Sequence, residues 1–112
     1  MKNTILLFLL IFIGVVQADT TNCQNLYVGR IWVEKGTGLK GVVYLNNRGD
    51  GSGSWWSYFN GWTPDEKKDA LAMLMAAKVS NHRVNVNTEN TDGCGIKTGF
   101  TNTESVYLTT NP

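Results

Sequence analysis

One histidine and two cysteines are the whole supply of soft metal ligands in this 112-residue chain, too few for the usual four-ligand site. Catalytic signatures are missing as well. No serine lies in a Gly-x-Ser-x-Gly turn, and no Gly-Lys-Ser/Thr follows the glycines of the loop Asn46 to Gly53. The lone histidine, His82, stands between Asn81 and Arg83, neither of which suits a general base as its partner. Acids are sparse, and those at Asp65 and Glu66 fit a helix start, where the helix dipole accounts for them. No catalytic residue, metal site or cofactor is expected, and a non-enzymatic protein is the leading expectation.

Long apolar runs are confined to one place. Lys2 precedes Ile5 to Val16, apolar apart from Gly14, and Val16-Gln17-Ala18 offers small residues at the minus-three and minus-one positions of a cleavage site. About a dozen apolar residues are too few for a bilayer span and suit a removable export signal. The expectation is a signal peptide over 1–18 and a single domain over 19–112, secreted or periplasmic, with no membrane insertion after removal of the signal.

Charge of one sign is also lacking. Without Lys2 the chain carries nine basic and nine acidic side chains, with no Lys/Arg cluster among them, so nucleic acid is not an expected partner. Cys23 and Cys94 both follow the export signal, and an even pair in an oxidising compartment reads as one disulfide. Such a bond contributes roughly 4 kcal/mol in the chain-entropy account, useful in a domain with a limited core.

The elements follow from composition and punctuation. Leu26 to Glu34, Gly41 to Leu45 and Ser54 to Phe59 read as strands, separated by Gly36-Thr37-Gly38 and by the polar loop Asn46 to Gly53. Thr63-Pro64-Asp65-Glu66 then spells a capping box with proline at the first helical position, predicting a helix from Pro64 to Val79. Arg83 to Asn87 and Ser105 to Thr109 read as two further strands. The order β-β-β-α-β-β predicts a mainly β fold with one helix, a small OB-like five-stranded barrel. An open α+β sheet covered by the helix gives the same string.

The aromatic third strand, Trp62, the Ala/Leu/Met-rich helix and His82-Arg83-Val84-Asn85-Val86 together resemble the B subunits of bacterial A/B toxins, of the subtilase-cytotoxin and typhoid-toxin type. The likeness covers roughly Leu26 to Val86 and is one of order and pattern. It implies an exported, disulfide-bonded OB-fold that assembles in rings and binds host glycans. The chain is similar in the same way to small exported bacterial proteins of unknown function.

Several residues are candidates for binding. Alternation sends Trp55 and Phe59 to one face of their strand and Trp56 and Tyr58 to the other. A small barrel has one interior, so one pair belongs outside it unless a helix or loop covers it. Trp55, Trp56, Tyr58 and Trp62 are therefore the candidate ligand-binding residues, suited to a sugar ring or a protein receptor. Ala70 to Ala77 has no polar residue on any side, which marks Leu71, Met73, Leu74 and Met75 as a candidate interface between copies of the chain. Arg48-Gly49-Asp50 spells an adhesion tripeptide, more simply a hairpin loop, and Asn90 with Asp92 fits a tight turn better than a calcium loop. Two functions stand as expectations: a secreted recognition module, with the glycan-binding, toxin-B-like kind as its candidate form, or a small exported structural or inhibitory protein that holds a protein partner through its aromatic surface.

Overall fold

The computed structural model describes residues 20–47, 54–89, 94 and 100–112. Five strands, β1 (Thr21–Glu34), β2 (Gly38–Leu45), β3 (Trp55–Tyr58), β4 (Val84–Thr88) and β5 (Phe100–Leu108), enclose a barrel in the spatial order β1-β2-β3-β5-β4. One helix, α1 (Pro64–Ser80), lies between β3 and β4 in the chain. All neighbouring pairs are antiparallel except β3 and β5, which run parallel. The barrel, and not the open sheet, is the fold.

Two strands run further than their apolar residues suggest. β1 begins at Thr21 because a bulge lets one strand serve two neighbours. The register slips between Cys23 and Leu26, where Asn25 takes a left-handed φ of 59° and its N–H donates to Asn85 Oδ1 at 2.9 Å. β1 pairs with β4 from Thr21 across the bulge to Leu26, and with β2 from Tyr27 onward. β5 begins at Phe100 rather than Ser105, and its first residues supply the parallel pairing with β3 that closes the barrel. Those residues read as loop in the sequence because Thr101 and Thr103, both buried, replace the expected apolar side chains. Their hydroxyls are satisfied inside: Ser57 Oγ and Thr103 Oγ1 stand 2.6 Å apart, and Thr101 Oγ1 donates to Ser57 Oγ at 3.2 Å. Paired hydroxyls avoid the desolvation cost that lone ones incur.

The helix starts as its sequence dictates. Thr63 Oγ1 accepts the Glu66 N–H at 3.2 Å while Glu66 Oε1 accepts the Thr63 N–H at 2.9 Å, and Pro64 opens the first turn. Asn81, in the left-handed region at φ 59°, ends it, and the His82 N–H donates back to the Ala77 carbonyl at 2.9 Å. The helix buries Ala70, Leu74 and Ala77 on the barrel. There they meet a core of strand residues that includes Leu26, Leu39, Val42, Tyr44, Trp55 and Val84. Cys23 and Cys94 form the disulfide, with Cα atoms 5.8 Å apart at a sequence separation of 71. Among the described residues no helix is long and apolar enough to cross a membrane.

An aromatic face as candidate functional site

Strand alternation in β3 sends Trp55 and Ser57 inward and Trp56 and Tyr58 outward; Trp55 is 4% exposed, whereas Trp56 and Tyr58 are half-buried. Register decides what lies beside the outward pair. Trp56 sits opposite Val43 of β2 and Phe100 of β5, and Tyr58 opposite Gly41 of β2 and Asn102 of β5. Gly41 in turn sits opposite Trp32 of β1. Three strands thus contribute rings to one outer surface.

The rings touch. Trp32 stands edge-on to Trp56 at 5.4 Å and to Tyr58 at 6.4 Å between centroids. Trp56 and Tyr58, two residues apart on one strand, hold their planes within 6° of parallel at 6.3 Å, and Phe100 continues the row 6.0 Å from Tyr58. Edge-to-face and offset-parallel arrangements are those that the aromatic quadrupole favours, so the rings stiffen one another. Phe100 remains 53% exposed. One edge of the face is charged: Lys40 Nζ lies 4.9 Å from the Trp32 ring centre and donates to Glu34 Oε1 at 3.2 Å. Such an edge offers a cation and a carboxylate beside flat apolar rings, which is the mixture a sugar or a polar protein loop can use.

Of the four residues read as ligand-binding, the structure gathers two, Trp56 and Tyr58, on this face. Trp55 is a correction. Its ring lies inside the barrel 5.3 Å from that of Tyr44, so it has no surface to offer. Trp62 is placed elsewhere. It packs edge-on against Phe59 at 4.9 Å, and its Nε1–H donates to the Thr103 carbonyl at 2.9 Å, roofing one end of the barrel next to the helix cap. Trp32, Lys40 and Phe100 escaped the sequence reading. Trp32 lay in a predicted strand, but its place beside Tyr58 depends on the β1–β2 and β2–β3 registers, which a local pattern does not contain.

The residues read as an interface between copies divide as well. Leu74 is fully buried in the core and unavailable to a partner, Leu71 and Met73 are half-buried, and Met75 is 52% exposed. An all-apolar stretch here buries one side only, because alanine occupies both core and surface positions.

No chemistry-bearing cluster emerges around His82, whose Nε2 is 2.8 Å from the Thr109 carbonyl in a contact that ties β5's end to the helix exit. No group of three or more His, Cys, Asp or Glu residues among the described residues is arranged to hold a metal ion. Arg48-Gly49-Asp50, Asn90 and Asp92 lie outside the described residues, as does the segment 1–18. No protein-family model matches the chain, and no curated protein shows significant sequence similarity to it.

Proposed function

We propose that the protein is a secreted, non-enzymatic recognition module that binds oligosaccharide through the outer aromatic face. The observation that carries the reading is the row of mutually packed, half-exposed rings, Trp32, Trp56, Tyr58 and Phe100, on β1, β3 and β5 of a closed five-stranded barrel. OB-type barrels use the surface around their second and third strands for oligosaccharides and oligonucleotides. The near-neutral charge of the chain favours the sugar over the polyanion. The apolar face of a pyranose stacks on a tryptophan or tyrosine ring, and its hydroxyls reach Lys40 and Glu34 at the rim. The Cys23–Cys94 bond supports work in an oxidising compartment, secreted or periplasmic. The toxin-B-like order of elements leads to the same ligand class.

A glycan array probed with the exported protein tests this, followed by titration of each hit on intrinsic tryptophan fluorescence. Binding to a defined glycan class, lost in Trp56→Ala and Trp32→Ala variants that still fold, is the expected result. An array without hits, or hits indifferent to both substitutions, overturns it. A defined protein ligand that depends on Trp56 while no glycan binds favours the structural or inhibitory alternative instead.

A further inference from the structure

A second apolar surface lies apart from the aromatic rings, in the cleft between α1 and the latter half of β1. Its floor is Ile31, Val33, Leu71, Met75 and Val79, of which Val33, Met75 and Val79 are 54%, 52% and 82% exposed. The cleft has a volume of about 480 Å³. It continues past Val33 and Leu71 into a second apolar hollow of about 340 Å³ that reaches Leu39 and Pro64. From Lys78 to Lys67 the helix edge of this groove is about 16 Å long by helical rise.

The charges around it are of one sign. Every lysine of the helix lines the groove, Lys78 at one end and Lys67 and Lys68 at the other, and Arg30 of β1 joins Lys78. Among the described residues no acidic side chain lines either stretch. Glu66 and Asp69 turn instead to the opposite side of the helix, towards Trp62 and Met73. Segregation of this kind, in a chain with a formal net charge of only +1, places a local positive potential over an apolar floor. Lys78 Nζ donates to the Gly29 carbonyl and Lys67 Nζ to the Thr37 carbonyl, which pins the two ammonium groups across the ends of the groove and leaves each with spare donors. Arg30 is exposed and has no ion-pair partner among the described residues.

We propose that this groove binds a free fatty acid, the alkyl chain laid along Ile31, Met75, Leu71 and Val33 and the carboxylate paired with Arg30 and Lys78. The two hollows fall in the size range of small-molecule sites, roughly 300–1,000 Å³. The floor provides dispersion and burial without a polar group to desolvate, and a guanidinium with an adjacent ammonium suits a carboxylate. The chemistry selects against a cationic amphiphile of the same length.

Dodecanoate, kept below its micelle concentration, is titrated into the exported protein while the methyl resonances of Met75 and Leu71 are followed. Saturable shifts at these methyls are expected, with dodecyltrimethylammonium binding at least roughly tenfold more weakly. Met75→Glu, at an exposed site where the fold has no need of methionine, abolishes the shifts at Leu71 without lowering the melting temperature. The pair Arg30→Ala and Lys78→Ala removes the preference for the anion. Trp56→Ala leaves dodecanoate binding intact, which separates this site from the aromatic face. Absence of saturable shifts, or equal binding of the cationic amphiphile, overturns the proposal. Association with anionic vesicles but not with monomeric dodecanoate overturns it in favour of a membrane surface. A dimer that Met75→Glu dissociates overturns it in favour of a second copy.

Discussion

The rings of Trp32 and Tyr58 stand 6.4 Å apart across β2 because the residue between them is Gly41. A Cβ at that position lies 3.0 Å from Tyr58 Cδ1 and 3.3 Å from the Ser57 carbonyl oxygen, tighter than most real side-chain contacts, so the ring must give way slightly. The glycine is a gap that two rings close.

Gly41→Ala therefore displaces the Tyr58 ring and opens the aromatic face. Since that ring is half-exposed and can swing outward, the expected stability loss is modest, about 1 kcal/mol. Ligand binding suffers more than stability does. Urea titration and fluorescence titration of the same variant check the split; equal, severe loss of both shows that the ring contact is structural alone.

Trp55 and Trp56 are adjacent in sequence and opposite in role. Trp55→Ala empties space beside Tyr44 and is expected to cost roughly 3–5 kcal/mol. Trp56→Ala loses ring contacts on a half-exposed surface and is expected to cost about 1 kcal/mol. Denaturant midpoints of the two variants decide the matter, and similar values contradict the assignment of faces.

The hydroxyl cluster of Ser57, Thr101 and Thr103 is sensitive to which member is changed. Ser57→Ala strands two buried threonine hydroxyls, at an expected cost of about 1–3 kcal/mol. Adding Thr101→Val and Thr103→Val to Ser57→Ala removes the stranded groups and recovers most of that loss. Measured unfolding free energies of the single and triple variants test it.

Tyr44 presents the opposite case, a fully buried hydroxyl with no hydrogen-bond partner among the described residues. Tyr44→Phe is expected to be neutral or stabilising by about 1 kcal/mol, as an unsatisfied group is removed. Burial also pushes the phenol far above its ordinary value near 10. The folded state thus holds the proton where the unfolded chain releases it. Stability is unaffected below pH ~10 and falls as pH rises beyond it. The melting temperature of the wild type, followed from pH 9 to 11, is expected to drop more steeply than that of Tyr44→Phe.

The capping box at Thr63–Glu66 and the alternation of Trp55 to Phe59 are legible in the chain because each rests on neighbours within about four positions. The order of elements follows from those local signals, but it fits an open sheet as well as a barrel, and the parallel β3–β5 pairing decides for the barrel. The disulfide was legible for a different reason, there being only one pair to form. What lay beyond reach was set by contacts between distant residues. The first half of β5 is strand because Ser57, 46 residues before Thr103, pairs with its hydroxyl inside the barrel. Trp32 belongs to the aromatic face because two registers in succession place Gly41 between it and Tyr58. Trp62 leaves that face because the Thr103 carbonyl holds its indole at the barrel's end. Local patterning determined which residues alternate and where the helix starts; only the closing of the barrel decided which rings share a surface, because strand register is a property of pairs and not of either strand alone.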